Sequence, residues 1–122
     1  MEFHYDDVQE DILIIKADGD LNSETADEFV ESIGKLVDAG LHSIIIDCSG
    51  LDHISSSGLG MLVRLNKRMD EKVGDVKIAS VKGLIVSVLR MTRLDKMFSI
   101  YPDVESARQA FKVEKKTPII FR

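Results

Sequence analysis

A chain of 122 residues, 44% hydrophobic and 30% charged, has the makeup of one globular domain that can bury a core without disulfides or metal. Its net charge of −5 gives no general electrostatic case for nucleic acid or an anionic membrane as a partner. Cys48 is the only cysteine, which excludes an intrachain disulfide and a cysteine-based metal cluster. The acidic opening MEFHYDD has no apolar centre and does not read as a signal peptide, and no apolar run approaches the ~20 residues of a membrane span. The expected location is the cytoplasm.

Taken in chain order, Asp11 to Gly19 (DILIIKADG) reads as a strand entering a turn, with Glu2 to Val8 as a shorter strand pairing with it through DVQED. Ala26, Phe29, Val30, Ile33, Leu36 and Val37 then follow the i, i+3, i+4, i+7 spacing of a helix, with Asp27, Glu28, Glu31 and Lys35 on the other side. Asn22 or Ser23 caps this helix and Gly40 stops it. His42 to Cys48 (HSIIIDC) is a short β-branched run of the kind buried on both faces of a sheet.

The next helix begins within SSSGLG and runs to about Lys72. Asp75 to Val81 is a strand and Leu84 to Met91 a helix, which leads through Leu94 and Met97 to a short strand around Phe98 to Tyr101. Pro102-Asp103 opens a last helix carrying Val104, Ala107, Ala110 and Phe111. Residues 113–122 read as a loose tail or an edge strand. The order β-β-α-β-α-β-α-β-α implies right-handed crossovers and a mostly parallel sheet with an antiparallel first hairpin. The fold class is α/β.

The segment Ile54-Ser55-Ser56-Ser57-Gly58-Leu59-Gly60 stands out. A helix start needs one capping hydroxyl, and three are present. At 100° per residue, Leu59, Leu62, Val63 and Met69 share one face of the helix with Leu65 at its margin, while Ser56, Gly60, Arg64, Lys67 and Glu71 fall opposite. Gly60 is therefore expected to face outward inside a helix, where glycine costs ~1 kcal/mol relative to alanine. An outward glycine beside a serine cap lets another protein's backbone approach closely; the plainer alternative is that Gly60 packs under a neighbouring loop. A helix N-terminus also favours an anion, so a phosphorylated serine there is physically well placed.

Enzyme motifs fit less well. GLGMLV has Val63 where a dinucleotide fingerprint needs its last glycine, and seven linker residues are expected between strand and helix. There is no GxxxxGK[ST] or GxSxG. His4, His42 and His53 form no metal spacing with the carboxylates, His53 has no evident acid partner, and Cys48 reads as a small core residue.

The stretch DCSGLDHISSSGLGMLVRLNKRM resembles the signature of the bacterial anti-sigma factor antagonists, small single-domain members of the STAS group. Their pattern is an apolar strand ending in D-x-S, then D-S-[ST]-G-L-G opening a helix, matched here by Asp47-Cys48-Ser49 and Ser56-Ser57-Gly58-Leu59-Gly60. Gly19 to Ala26 (GDLNSETA) is similar to the family's G-[DE]-L-D-x-x-T-A, and MTRLDKMF resembles its segment before the last strand. The resemblance covers about residues 8–112. It implies one STAS-like domain over residues 1–122, with a mixed, mostly parallel sheet of four or five strands and about four helices.

The resemblance also implies a phosphorylation-controlled partner switch. The unphosphorylated antagonist binds an anti-sigma factor that is itself a serine kinase, freeing the sigma factor; phosphorylation weakens the complex and a phosphatase resets it. The phosphorylated position corresponds to Ser56, and Asn22, Ser55, Ser57, Gly58 and Gly60 correspond to the contact surface; Arg64 and Lys67 are expected to join it because they lie near the phosphate, the plainer alternative being solvated helix charges. ATP belongs to the partner, so no cofactor, no metal and no catalytic residue is implied here, nor direct contact with nucleic acid or membrane. Two positions depart from the pattern: Ser55 stands for the aspartate before the phosphorylated serine, and Asn22 for the aspartate of G-[DE]-L-D. Both replacements remove a carboxylate from the contact surface while keeping a good helix cap. A STAS-like scaffold or ligand-binding subunit without the switch is the alternative.

Overall fold

The computed structural model describes residues 2–9, 12–40, 43–71 and 75–116, with side chains described over 12–40, 43–69 and 75–112. Its elements are β1 (Glu2–Gln9), β2 (Ile12–Leu21), α1 (Ser23–Asp38), β3 (Ser43–Ile54), α2 (Ser56–Glu71), β4 (Asp75–Ala79), α3 (Gly83–Met91), the single turn α4 (Leu94–Met97), β5 (Ser99–Tyr101) and α5 (Val104–Lys116). The strands form one sheet in the order β1-β2-β3-β4-β5. β1 pairs antiparallel with β2, and every other neighbouring pair is parallel. The mixed α/β architecture is the one the sequence predicts.

Alternation along the central strands sends side chains to two cores. Ile44, Ile46, Val76 and Ile78 face the layer of α1, α2 and α3, where they meet Phe29, Ile33, Met61, Leu65, Ile85 and Leu89. Ile12, Ile14, Ile45 and Ala79 face α5 and its Ala107 and Phe111. Lys77 is fully buried on that second side. Its Nζ lies 2.8 Å from Asp75 Oδ2 and 4.5 Å from the centre of the Phe111 ring, so burial is offset by an ion pair and a cation–π contact.

Three expectations need correction. The first concerns β3, which continues beyond Cys48 to Ile54, pairing Gly50, Leu51, His53 and Ile54 with Asp18, Gly19, Asp20 and Leu21 of β2. β4 pairs only as far as Asp47, so this extension is a two-stranded ribbon whose residues 52 and 53 are exposed. That is why Gly50-Leu51-Asp52-His53 lacks the apolar look of a central strand. At Gly50 a side chain would collide with the Asp18 carboxylate.

Second, Ser55 alone separates strand from helix, so the expected seven-residue linker does not exist. One ground against a dinucleotide turn falls with it, although Val63 still stands where the glycine is needed. Third, the buried face of α2 is Gly58, Met61, Leu62, Leu65 and Met69, with Leu65 at its centre and Val63 40% exposed. The stripe is rotated because α2 leans on α1 as well as on the sheet. At the C-terminal end, residues 113–116 continue α5, whereas 117–122 lie outside the described residues, as do His42 and residues 72–74.

Candidate functional site

Parallel pairing of β2 with β3 ends at Leu21 and Ile54, so both strands release their chains at one end of the sheet. Each chain then enters a helix, and the two helix starts lie side by side. After β2, the Asn22 side chain accepts hydrogen bonds from the N–H groups of Glu24 (2.9 Å) and Thr25 (3.2 Å), and the Thr25 hydroxyl accepts one from Asn22 N–H at 3.0 Å. This reciprocal capping box fixes the loop, and Asn22 rather than Ser23 is the cap. Thr25 Oγ1 also donates to the Asp20 carbonyl at 3.1 Å.

After β3, Ser55 performs the same task. Its hydroxyl accepts from Gly58 N–H at 3.2 Å, and its carbonyl accepts from Leu59 N–H at 2.9 Å. The Ser55 N–H donates to the Leu21 carbonyl at 2.9 Å, which ties the two helix starts together. Ser55 is thus the N-cap of α2, and its hydroxyl is committed. Ser56 and Ser57, the first two helical residues, are exposed. Among the described residues the Ser56 hydroxyl has no hydrogen-bond partner, so the surplus noted in the sequence resolves into one structural serine and two free ones.

The two glycines separate as well. Gly58 is buried, and a Cβ there would stand 2.6 Å from the Leu21 carbonyl oxygen and 2.9 Å from Ile54 Cγ1. Its expected place on a contact surface is corrected to one beneath it, where α2 can seat on the end of β2 only without a side chain. Gly60 is exposed, with nothing within 4 Å of a built Cβ, so among the described residues no loop covers it.

Ser57, Gly60 and Arg64 line a shallow groove with Ser23, Ala26 and Asp27 of α1. Arg64 reaches across it to Asp27 at 3.3 Å, and one turn further Arg68 reaches Asp38 at 2.7 Å. Lys67 is exposed on the crest of α2. The structure therefore brings Asn22, Ser55, Ser56, Ser57 and Gly60 together at one end of the layer, with Arg64 and Lys67 about two and three turns further along α2. Asp47 and Ser49 are set apart from it: the Asp47 carboxylate accepts from Ser49 N–H at 3.0 Å where the β2–β3 register shifts, which makes that part of the motif a bulge device.

His53 does have an acid partner. Its Nδ1 lies 3.0 Å from Asp20 Oδ1, a pairing across two strands that linear spacing does not reveal. Both side chains are exposed, and among the described residues no serine hydroxyl bonds to the imidazole, so no nucleophile–base pair forms. Among the described residues there is likewise no cluster of three metal-ligating side chains. Burial, aided by the charge of Asp47, pushes the Cys48 thiol up to about 12, so it is a protonated core residue and no nucleophile at neutral pH. Among the described residues no helix is long and apolar enough to cross a membrane.

The chain thus combines an antiparallel hairpin feeding a parallel sheet with two tied helix starts at one sheet end. The STAS domain model matches residues 6–107, and the chain belongs to the STAS domain family, whose anti-sigma factor antagonists are regulatory binding proteins and not enzymes. BtrV of Bordetella bronchiseptica, a proposed anti-sigma factor antagonist, is 27% identical over 101 residues, covering 83% of this chain and 87% of its own length. The crystal structure of a Thermotoga maritima protein, also a proposed anti-sigma factor antagonist, matches with a TM-score of 0.85 at 25% identity, covering 90% of this chain and 94% of that one. The anti-sigma factor antagonist SpoIIAA in its unphosphorylated form shares the fold, with a TM-score of 0.70 at 16% identity over 93% of this chain and 98% of its own.

Proposed function

We propose that this protein is a phosphorylation-controlled anti-sigma factor antagonist working in the cytoplasm. It binds an anti-sigma factor that carries serine kinase activity, releases the sigma factor, and is reset by a phosphatase. One observation carries this reading. Ser55 takes the cap of α2, which leaves the Ser56 hydroxyl exposed and unbonded at the first helical position, beside the bare backbone of Gly60. A phosphate on Ser56 would sit at the positive end of α2, which has no acidic residue in its first turn. Its roughly −1.5 to −2 charges would change the surface without strain on the core.

In this reading Ser57, Gly60, Arg64 and Lys67 touch the partner, while Asn22, Ser55 and Gly58 hold the two loops in shape. Incubating the chain with its anti-sigma factor kinase and ATP, followed by peptide mass spectrometry, is expected to place one phosphate on Ser56. A kinase active on its own substrate that leaves Ser56 unmodified would refute the proposal.

A second reading is favoured by Ser55 and Asn22, which leave the surface without two carboxylates of the family pattern. There the domain is a constitutive scaffold. A Ser56→Asp variant separates the two: the switch loses the anti-sigma factor in a pull-down, and the scaffold retains it.

A further inference from the structure

The layer of α1, α2 and α3 has a second groove, and its chemistry is opposite to the first. In α2 the residues that directly precede buried ones (Ser57, Gly60, Arg64 and Arg68) face α1, as the Asp27 and Asp38 ion pairs show. The flank on the other side of α2 carries Leu59, Leu62 and Val63, and it faces away from α1. α3 lies in the same layer and, as a crossover between parallel strands, runs parallel to α2. By the same rule the residues preceding buried Ile85 and Leu89, namely Leu84 and Val88, face α2, and Met91 extends that line at i+7.

Leu84 is 84% and Met91 82% exposed, whereas large apolar residues elsewhere in the described structure are mostly buried. Beneath the helices lies a small apolar void of the main core, lined from α1, β2 and β3 by Phe29, Leu21 and Ile46 and reached from α2 and α3 by Leu62, Ile85 and Leu89. α2 packs against α1 more than against α3, which leaves the α2–α3 cleft unfilled among the described residues.

Charge says what fits it. Residues 1–55 contain fourteen acidic and two basic side chains, whereas residues 56–97 contain four acidic and nine basic, of which Lys77 is buried on the other side of the sheet and Arg64 and Arg68 pair with aspartates of α1. Lys67, Lys82, Arg90, Arg93 and Lys96 are all exposed over α2 to α4. An overall charge of −5 disfavours approach to an anionic bilayer. We infer that the α2–α3 cleft docks an acidic amphipathic helix of a partner protein, its apolar stripe between Leu59, Val63, Leu84 and Met91 and its carboxylates over the surrounding lysines and arginines. The inference does not rest on phosphorylation of Ser56.

The test uses the full 15N-labelled chain and a stapled, glutamate-rich helical peptide about 18 residues long with leucines at i, i+4, i+7 and i+11. Amide shifts are expected over residues 59–66 and 84–91, with binding that weakens as salt is raised. A peptide with lysine in place of glutamate is expected to bind at least ~10-fold more weakly. Leu84→Ser with Met91→Ser is expected to cost a similar factor; both side chains are solvent-exposed, so an unchanged thermal melt verifies the fold. No shifts in the cleft, or equal binding of the lysine peptide, would overturn the inference. Self-association that the double variant abolishes would assign the cleft to a second copy of this chain. Cosedimentation with phosphatidylglycerol vesicles that the variant abolishes would assign it to a membrane. Either result would also overturn it.

Discussion

The carbonyl oxygen of Leu21 lies 2.6 Å from where a Cβ on Gly58 would stand, and it accepts the Ser55 N–H at 2.9 Å. One backbone oxygen thus sets how closely the start of α2 approaches the end of β2, and with it the spacing of the two loops that make the proposed surface.

Gly58→Ala is therefore expected to destabilise the fold. The new methyl meets backbone oxygen and the Ile54 side chain, not a flexible chain end, and overpacking of this kind costs about 1–3 kcal/mol. Denaturant unfolding should show a lower midpoint at unchanged slope. A midpoint equal to that of the parent chain would mean that α2 does not seat on Leu21 in this way.

Gly60→Ala is expected to act in the opposite sense on stability. Its Cβ meets nothing within 4 Å, and an exposed helical glycine replaced by alanine gains about 0.5–1 kcal/mol. If another backbone approaches there, affinity for the anti-sigma factor falls while the melting temperature rises. Both quantities rising, or neither moving, would remove Gly60 from the contact surface.

The three serines are expected to differ although they are consecutive. Ser55→Ala removes a cap and should cost about 0.5–2 kcal/mol, whereas Ser56→Ala, which breaks no hydrogen bond, should stay within about 0.5 kcal/mol of the parent. Asn22→Ala should resemble Ser55→Ala, and Asn22→Asp should keep the cap. Thermal melts of the four variants are sufficient. A costly Ser56→Ala would contradict the assignment of its hydroxyl as free.

Cys48 gives a prediction in pH. Its thiol has an ordinary value of 9.0 when exposed and about 12 in the fold. The unfolded chain therefore loses this proton first, so the contribution of Cys48 is complete below pH 9 and is lost progressively between pH 9 and 12. Relative to Cys48→Ala, whose comparison cancels the titration of lysines and tyrosines, the parent should lose about 1 kcal/mol between pH 9 and 10. A difference that does not change over this interval would mean the thiol is not desolvated.

Much of the architecture was legible because periodicity is a local property. Ala26 to Val37 and Val104 to Phe111 keep one face apolar at helical spacing, and HSIIIDC marks a strand buried on both faces. The residues of the surface were also legible, since Asn22 and the three serines carry capping chemistry at helix starts. Three features were hidden for one shared reason. The β3 extension, the true buried stripe of α2 and the pairing of His53 with Asp20 each depend on a neighbour distant in sequence: β2, α1 and β2 respectively.

Taken alone, then, the sequence determined the order of strands and main helices, the apolar faces of α1 and α5 and the chemical types at the two helix starts, since these follow from backbone preference and the pattern of apolar side chains. Only the tertiary structure decided which serine is spent as a cap, which glycine is buried and which is bare. It also decided that α2 divides a polar groove from an apolar one. Those outcomes turn on a few ångströms between Leu21 and residues more than thirty positions away, a distance that no local pattern encodes.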